Sequence, residues 1–394
     1  MKKRETRLAA AVLAVLLGLM WLGCGNEFRP VASPIFPPGG DPQAHREAVA
    51  VNNAGGATGS TTHIDVSGDT TVASHTVGKG PVHAATVPGS PILFVANAGD
   101  DTLSAYATFS AGATPTTVSL PIGSVPVFLN STEVFRMYVA NSGLNTVGII
   151  NATTAQLTDT VPVGNHPVAL AELPGGSKLY CVNQNDGTVS VISTVDKVVI
   201  GLPIPVGSMP SFAVANDTGT FVFVANQADG TVSVIDTATD TEILPRLIVG
   251  ASPNFLFFDK TLKRVYVTNS VDNTVSIIRT DVSPPVVLGG PIAVGTAPLS
   301  VTALADGSRA YVANSGSNTV SVINTSNNTV SKTIAVGTNP VSIASSSDST
   351  KVYTANRGSN NISIIRTTDD TVVATAPTTA PTAPAQPVWV LTAP

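Results

Sequence analysis

The residues able to do chemistry in this chain are few and scattered. There are five histidines, His45, His63, His75, His83 and His166, and two cysteines, Cys24 and Cys181. A metal centre built on one element needs such side chains at ligand spacing, as in two histidines on one turn of a helix. None of the five shows it. His75 and His83 flank the Gly78–Pro81 turn and are placed to meet at one rim. The others read as solvated or locally bonded. No G-x-S-x-G nucleophile and no phosphate-cradling glycine loop occurs. Cys181 sits within a strand-like apolar run and reads as a small buried hydrophobe rather than a nucleophile. Two cysteines allow at most one disulfide and no cysteine cluster. We therefore assign no catalytic, cofactor-binding or metal-ligating residue and expect no cofactor. Catalysis is left open, with binding favoured over it.

Of the 394 residues, 43 % are hydrophobic and 11 % charged, against about 25 % charged in ordinary soluble domains. Thr, Ser, Asn, Gly and Pro fill the difference, a mixture that suits short strands and turns. The net charge is −5 and no basic run follows the first residues, so nucleic acid is not an expected partner.

Lys2, Lys3, Arg4 and Arg7 precede an apolar segment, Leu8 to Leu22, too short for the roughly 20 residues of a membrane span and suited to a signal peptide. Leu19-Met20-Trp21-Leu22-Gly23-Cys24 resembles a bacterial lipobox, with Trp21 where Leu is usual. The resemblance implies cleavage before Cys24, lipid attachment to it, and a membrane partner held through that lipid. Residues 1–24 are thus expected to be a signal peptide and 25–48 a Pro/Gly-rich tether. Asn26, rather than Asp, implies no inner-membrane retention. The expected location is the cell envelope, on the outer membrane, with the side left open.

The elements that must position any site come from a repeat. The motifs F-V-A-N, Y-V-A-N and their variants end at Asn97, Asn141, Asn183, Asn226, Asn269, Asn314 and Asn356, at intervals of 42 to 45 residues. Five residues after each Asn a second run starts, as in Thr231-Val-Ser-Val-Ile235. A G-x-x-P mark recurs at the same period, from Gly78–Pro81 to Gly337–Pro340. A period in the low forties with four strand-like runs is the signature of propeller blades. The continuous apolar run before each Asn suits a strand covered on both faces. Asn, Asp and Gly in the next turn tolerate positive φ, and the Asn is expected to bond nearby backbone. The glycine of G-x-x-P is expected to permit a sharp reversal before the proline opens the next strand.

Pro81 to about Thr375 holds seven complete units, strands A to D. The remainders are complementary: B-, C- and D-like runs at 49–52, 62–66 and 71–77, and an A-like run at 387–391. The expected fold is all-β, a single propeller over 49–394, with eight four-stranded blades and a 3+1 terminal closure. Seven blades is the alternative.

Tyr266-Val-Thr-Asn269 and its siblings resemble the YVTN β-propeller repeat family, over about residues 49 to 394. The resemblance implies an exported propeller, and many such proteins have no assigned activity. More distantly, propellers of this shape occur in lactonases and in haem- or copper-containing reductases, but no matching site motif appears here.

In an A-B-C-D meander the B–C and D–A turns emerge at one end of the ring. That face would gather Lys79, Asp101, His166, Asp186, Asp229, Asp272 and Arg357, a shallow polar face for a ligand or cation. The bland alternative is that these types sit there because turns need them. The expected function is a membrane-tethered binding scaffold for an envelope protein, a glycan or a small ligand. The alternatives are a lactonase- or hydrolase-like enzyme with a site at the axial mouth, or a cofactor- or metal-carrying redox propeller.

Overall fold

A computed structural model describes residues 47–393 apart from 109, 111, 133–134 and 379–384. The signal-like segment, Cys24, His45 and nearly all of the tether lie outside the described residues. Those described form eight antiparallel sheets. Seven are continuous in sequence, each meandering outward from an inner strand that starts at the G-x-x-P proline. In the blade that begins at Pro253, the outer position is split between Val286–Val287 and Ile292–Ala293, both paired with Thr274–Arg279.

The eighth sheet is the closure. Its inner strand is Gln386–Ala393, paired with Glu47–Ala54, followed by Ala57–Asp65 and Thr70–Lys79. We call it the first blade; the second begins at Pro81 and the eighth at Pro340. Gln386–Ala393 packs against the inner strands on both sides, Pro340–Ser345 and Pro81–Thr86. The ring of eight with 3+1 closure is thus as the sequence implied, and seven blades is excluded. Strand pairing starts at Glu47, two residues before the boundary read from sequence.

Blade-on-blade stacking supplies the core. In Phe221–Asn226 all six residues are buried, with alternate side chains in the apolar clusters on either side. Five tyrosines of this strand position, Tyr138, Tyr180, Tyr266, Tyr311 and Tyr353, are fully buried. Each such side chain contributes about 1.5–3 kcal/mol, so stacking outweighs any single polar tie.

Two turn details depart from the sequence reading. The motif Asn is fully buried, and its Nδ2 donates mostly to side-chain hydroxyls on the next strand: Asn226 to Thr231 Oγ1 at 3.0 Å and Ser233 Oγ at 2.9 Å. Asn97, Asn183, Asn269 and Asn314 repeat the pair. The expected backbone bond appears at Asn226, whose Oδ1 accepts from Gly207 N at 3.1 Å. Except at Gly123, which is itself left-handed with φ 86°, the G-x-x-P glycine is needed for close approach rather than for a reversal. A Cβ on Gly207 would lie 2.5 Å from Asn226 Cγ, and one on Gly295 2.7 Å from Asn314 Cγ. The left-handed residue is instead the one just before the proline: Val125, His166, Met209, Ser252, Ala297 and Asn339 all have φ between 48° and 58°.

A second recurring tie joins neighbouring blades at the other end. The residue five before the motif Asn is a cation in five blades, and it reaches the next blade's C–D turn. Lys178 pairs with Asp240 at 2.7 Å, Arg309 with Asp370 at 2.8 Å, and Lys351 with Asp69. Arg264 reaches Asn328, and Arg136 the Thr194 carbonyl. Tyr180 and Tyr311 add their hydroxyls to Asp240 and Asp370.

Candidate functional site

The residues of the polar face expected from sequence are engaged in bracing its turns. The aspartates three after the motif Asn each accept from the backbone of the incoming D–A turn of their own blade. Asp186 takes Asn165 N, Asp229 takes Ser208 N and Asp272 takes Ala251 N, each at 2.7 Å. The residue one further along ties to the next blade instead. Asp101 takes Gly123 N and Val125 N at 2.8 Å, and Asn145 takes His166 N at 2.9 Å. Lys79 is exposed, and its backbone N donates to Asp100 at 2.8 Å. Asp229 also lies 3.9 Å from Arg246, and Arg357 meets Gln386 Oε1 at 3.4 Å. The seven residues are therefore distributed as local turn pairs, not gathered at one point. Among the described residues no three His, Cys, Asp or Glu side chains converge to hold a metal.

The histidines also fall otherwise than the sequence suggested. His75 and His83 do not meet at a rim. His75 lies between the first and second blades with His63, their ring centroids 4.9 Å apart. His63 is wholly buried and donates from Nδ1 to Glu47 at 2.7 Å, while Tyr106 Oη lies 3.0 Å from its Nε2. Glu47 takes the place that holds a cation in five other blades, so the first and second blades meet here in a buried polar cluster instead of a cation clamp. Cys181 is fully buried, and burial pushes its thiol well above the ordinary range, as fits a core residue.

His83 belongs to a second arrangement, which sequence reasoning missed. Every inner strand carries a register shift just after its leading proline. Such a bulge re-aims the side chain that follows. The eight re-aimed residues are His83, Phe128, Ala169, Phe212, Phe255, Ser300, Ser342 and Trp389, two after each proline. Five of them pack ring against ring across the axis, in tilted and edge-on contacts. The centroid distances are His83–Phe128 4.3 Å, Phe128–Phe212 5.4 Å, Phe212–Phe255 4.6 Å, Phe255–Trp389 6.3 Å and Trp389–His83 4.3 Å. They form a closed circuit of rings that plugs the channel.

Beyond this plug, toward the A–B loops, a cavity of about 600 Å³ opens along the axis. Its walls come from the next residues of the inner strands, among them Ala84, Leu129, Leu170, Ala213, Leu256 and Leu391. Its rim is polar: Asn130, Thr132, Glu172, Asn216, Asp217 and Lys260. Glu172 is buried and takes Thr132 N, while its own N donates to Asn130 Oδ1 at 3.0 Å. Asp217 pairs with Lys263. The signal available in the sequence was the variation two residues after each G-x-x-P proline, where the repeat otherwise tolerates small residues.

The floor carries a further feature. His83 is buried, its Nδ1 accepts from Leu129 N at 3.3 Å, and burial pushes its pKa down to about 3. It is therefore neutral, with its proton on Nε2. Neither His83 Nε2 nor the buried Trp389 Nε1 has a hydrogen-bond partner.

No family model matches the sequence, and no curated protein does. Solved structures do match in fold. The hydrazine synthase of Kuenenia stuttgartiensis is 20 % identical with a TM-score of 0.56, over 69 % of this chain and 90 % of that one. Apo AztD from Citrobacter koseri is 13 % identical with a TM-score of 0.67, over 89 % and 98 %. The dihydro-heme d1 dehydrogenase NirN, in complex with DHE, is 12 % identical with a TM-score of 0.71, over 88 % and 75 %. At these identities the likeness is one of fold: this chain is an eight-bladed β-propeller, an architecture it shares with enzymes.

Proposed function

We propose that this chain is a non-catalytic binding protein of the cell envelope, lipid-anchored at Cys24, and that its ligand sits in the axial funnel. The carrying observation is the cavity of about 600 Å³ above a floor of five rings in mutual contact. A volume of that order, with apolar walls and a few polar groups at its mouth, suits a small organic molecule. The turn face competes poorly with it, because each of its aspartates already holds backbone N–H groups of a turn, Asp101 with both oxygens and Asp186, Asp229 and Asp272 with one. The lipid anchor rests on the lipobox-like Leu19–Cys24, and kinship with YVTN propellers on Tyr266–Asn269.

Native mass spectrometry of the full chain, extracted from membranes in detergent, tests the reading. The wild type is expected to carry the acyl mass on Cys24, absent in Cys24→Ala, together with a small molecule. Ala85→Phe, which narrows the half-buried funnel wall, is expected to lose that molecule. A wild type that never retains a small molecule, or an Ala85→Phe variant that retains it fully, would sink the funnel as the ligand site.

A further inference from the structure

We propose that the funnel floor selects ligands by a pair of ring N–H donors, taking a small rigid apolar ring system that carries a neutral acceptor oxygen: an aromatic or alicyclic carbonyl compound. This rests on the funnel reading above and adds the chemistry of what the funnel takes.

The argument starts from His83 and Trp389. They come from opposite ends of the described chain and meet, ring centroids 4.3 Å apart, only because the ring closes. Leu129 N fixes the tautomer of His83, so that Nε2 is a donor. Trp389 Nε1 can only donate. Both atoms are buried and unpartnered, and a buried donor left unsatisfied is costly. The polar residues two after the proline in other blades are satisfied: Ser300 Oγ accepts from Ile343 N at 3.4 Å and Ser342 Oγ from Val390 N at 3.2 Å. Structure alone therefore does not require orphan donors at this level of the ring.

An oxygen with two lone pairs can answer two donors on neighbouring rings. A carbonyl suits the site better than a carboxylate, because His83 is neutral and burying an uncompensated charge is prohibitive. Phe128, Phe212 and Phe255 offer aromatic faces and edges to the rest of the ligand. Both nitrogens lie beneath the floor's surface, so the oxygen reaches them by moving one ring aside. Only a ligand that brings an acceptor offsets that displacement, and this is the source of selectivity.

Calorimetric titration of the full-length protein with 1-indanone and with indane decides the matter, since the two differ by one carbonyl. 1-Indanone is expected to bind about tenfold more tightly. In His83→Phe, which keeps a ring in the floor, the ratio should fall to about one. Equal affinity of the two probes for the wild type overturns the donor-pair inference and leaves the funnel standing. Binding of neither probe up to millimolar concentration overturns both. Should His83→Phe fail to fold, the wild-type ratio alone decides.

Discussion

At the scale of single residues, the molecule separates letters that serve the fold from letters that do not. Asp186, Asp229 and Asp272 looked like a ligand face and are turn braces, each holding one backbone N–H at 2.7 Å. Their recurrence at one repeat position already pointed that way, since a repeated letter answers a repeated need. His83, by contrast, stands where two other blades place Ser and one places Ala. Its burial has a measurable consequence. The folded state holds it with a pKa near 3, against 6.5 for the exposed group. Between those values the unfolded chain binds a proton that the folded chain does not, so stability is full above about pH 6.5 and falls as pH drops below it. The slope for one such group is about 1.4 kcal/mol per pH unit. His75, whose pKa is also lowered by burial and by His63, adds in the same direction. Urea unfolding at pH 7 and pH 5 should show a clear loss for the wild type and a smaller one for His83→Phe. An unchanged pH dependence in the variant would count against a buried neutral His83.

At the scale of elements, the strand pattern was legible in the sequence because periodicity and turn chemistry are local. The ties between elements were not. The cation five before the motif Asn looks like an ordinary surface charge until the next blade's C–D turn is brought to it. Arg309 and Tyr311 then share Asp370, whose side chain is 13 % exposed. Asp370→Ala leaves both groups without their acceptor, and we expect a loss of about 1–3 kcal/mol in denaturant unfolding. Asp369→Ala, one residue away, removes an ion pair with Arg366 that lies in solvent and should change nothing measurable. Equal effects would show that the clamp is incidental. The Gly–Asn contact has the same character. Both letters were visible at a fixed period, but only the packed blade shows that Gly295 is glycine because Asn314 occupies the space of a Cβ.

At the scale of the whole molecule, closure is the decisive event. Glu47–Ala54 is buried along nearly its whole length only because Gln386–Ala393 covers its inner edge. Removing residues 386–394 exposes that edge and takes Val390 and Trp389 out of the apolar clusters they help to fill. Several kcal/mol of burial are lost, and melting should fall by about 10 °C, with aggregation through the open strand. A truncated chain that melts with the wild type would show that the ring does not depend on its last strand. The same closure places Trp389 against His83, so the funnel floor exists only in the closed ring.

The sequence by itself determined the strand order within each blade and favoured eight blades with terminal closure over seven, because these are written in a repeat whose physics is local: apolar runs, turn residues and a fixed period. Tertiary structure alone decided where the axial cavity and its ring floor lie. Residues two after each proline are separated by some 40 positions in the chain, and nothing in any one repeat tells which of them will face one another. Their convergence follows from wrapping eight copies about an axis, which turns a position of no local consequence into the floor of the cavity. For the same reason only the folded chain shows that the turn aspartates, conspicuous in sequence, each brace a backbone N–H of a turn.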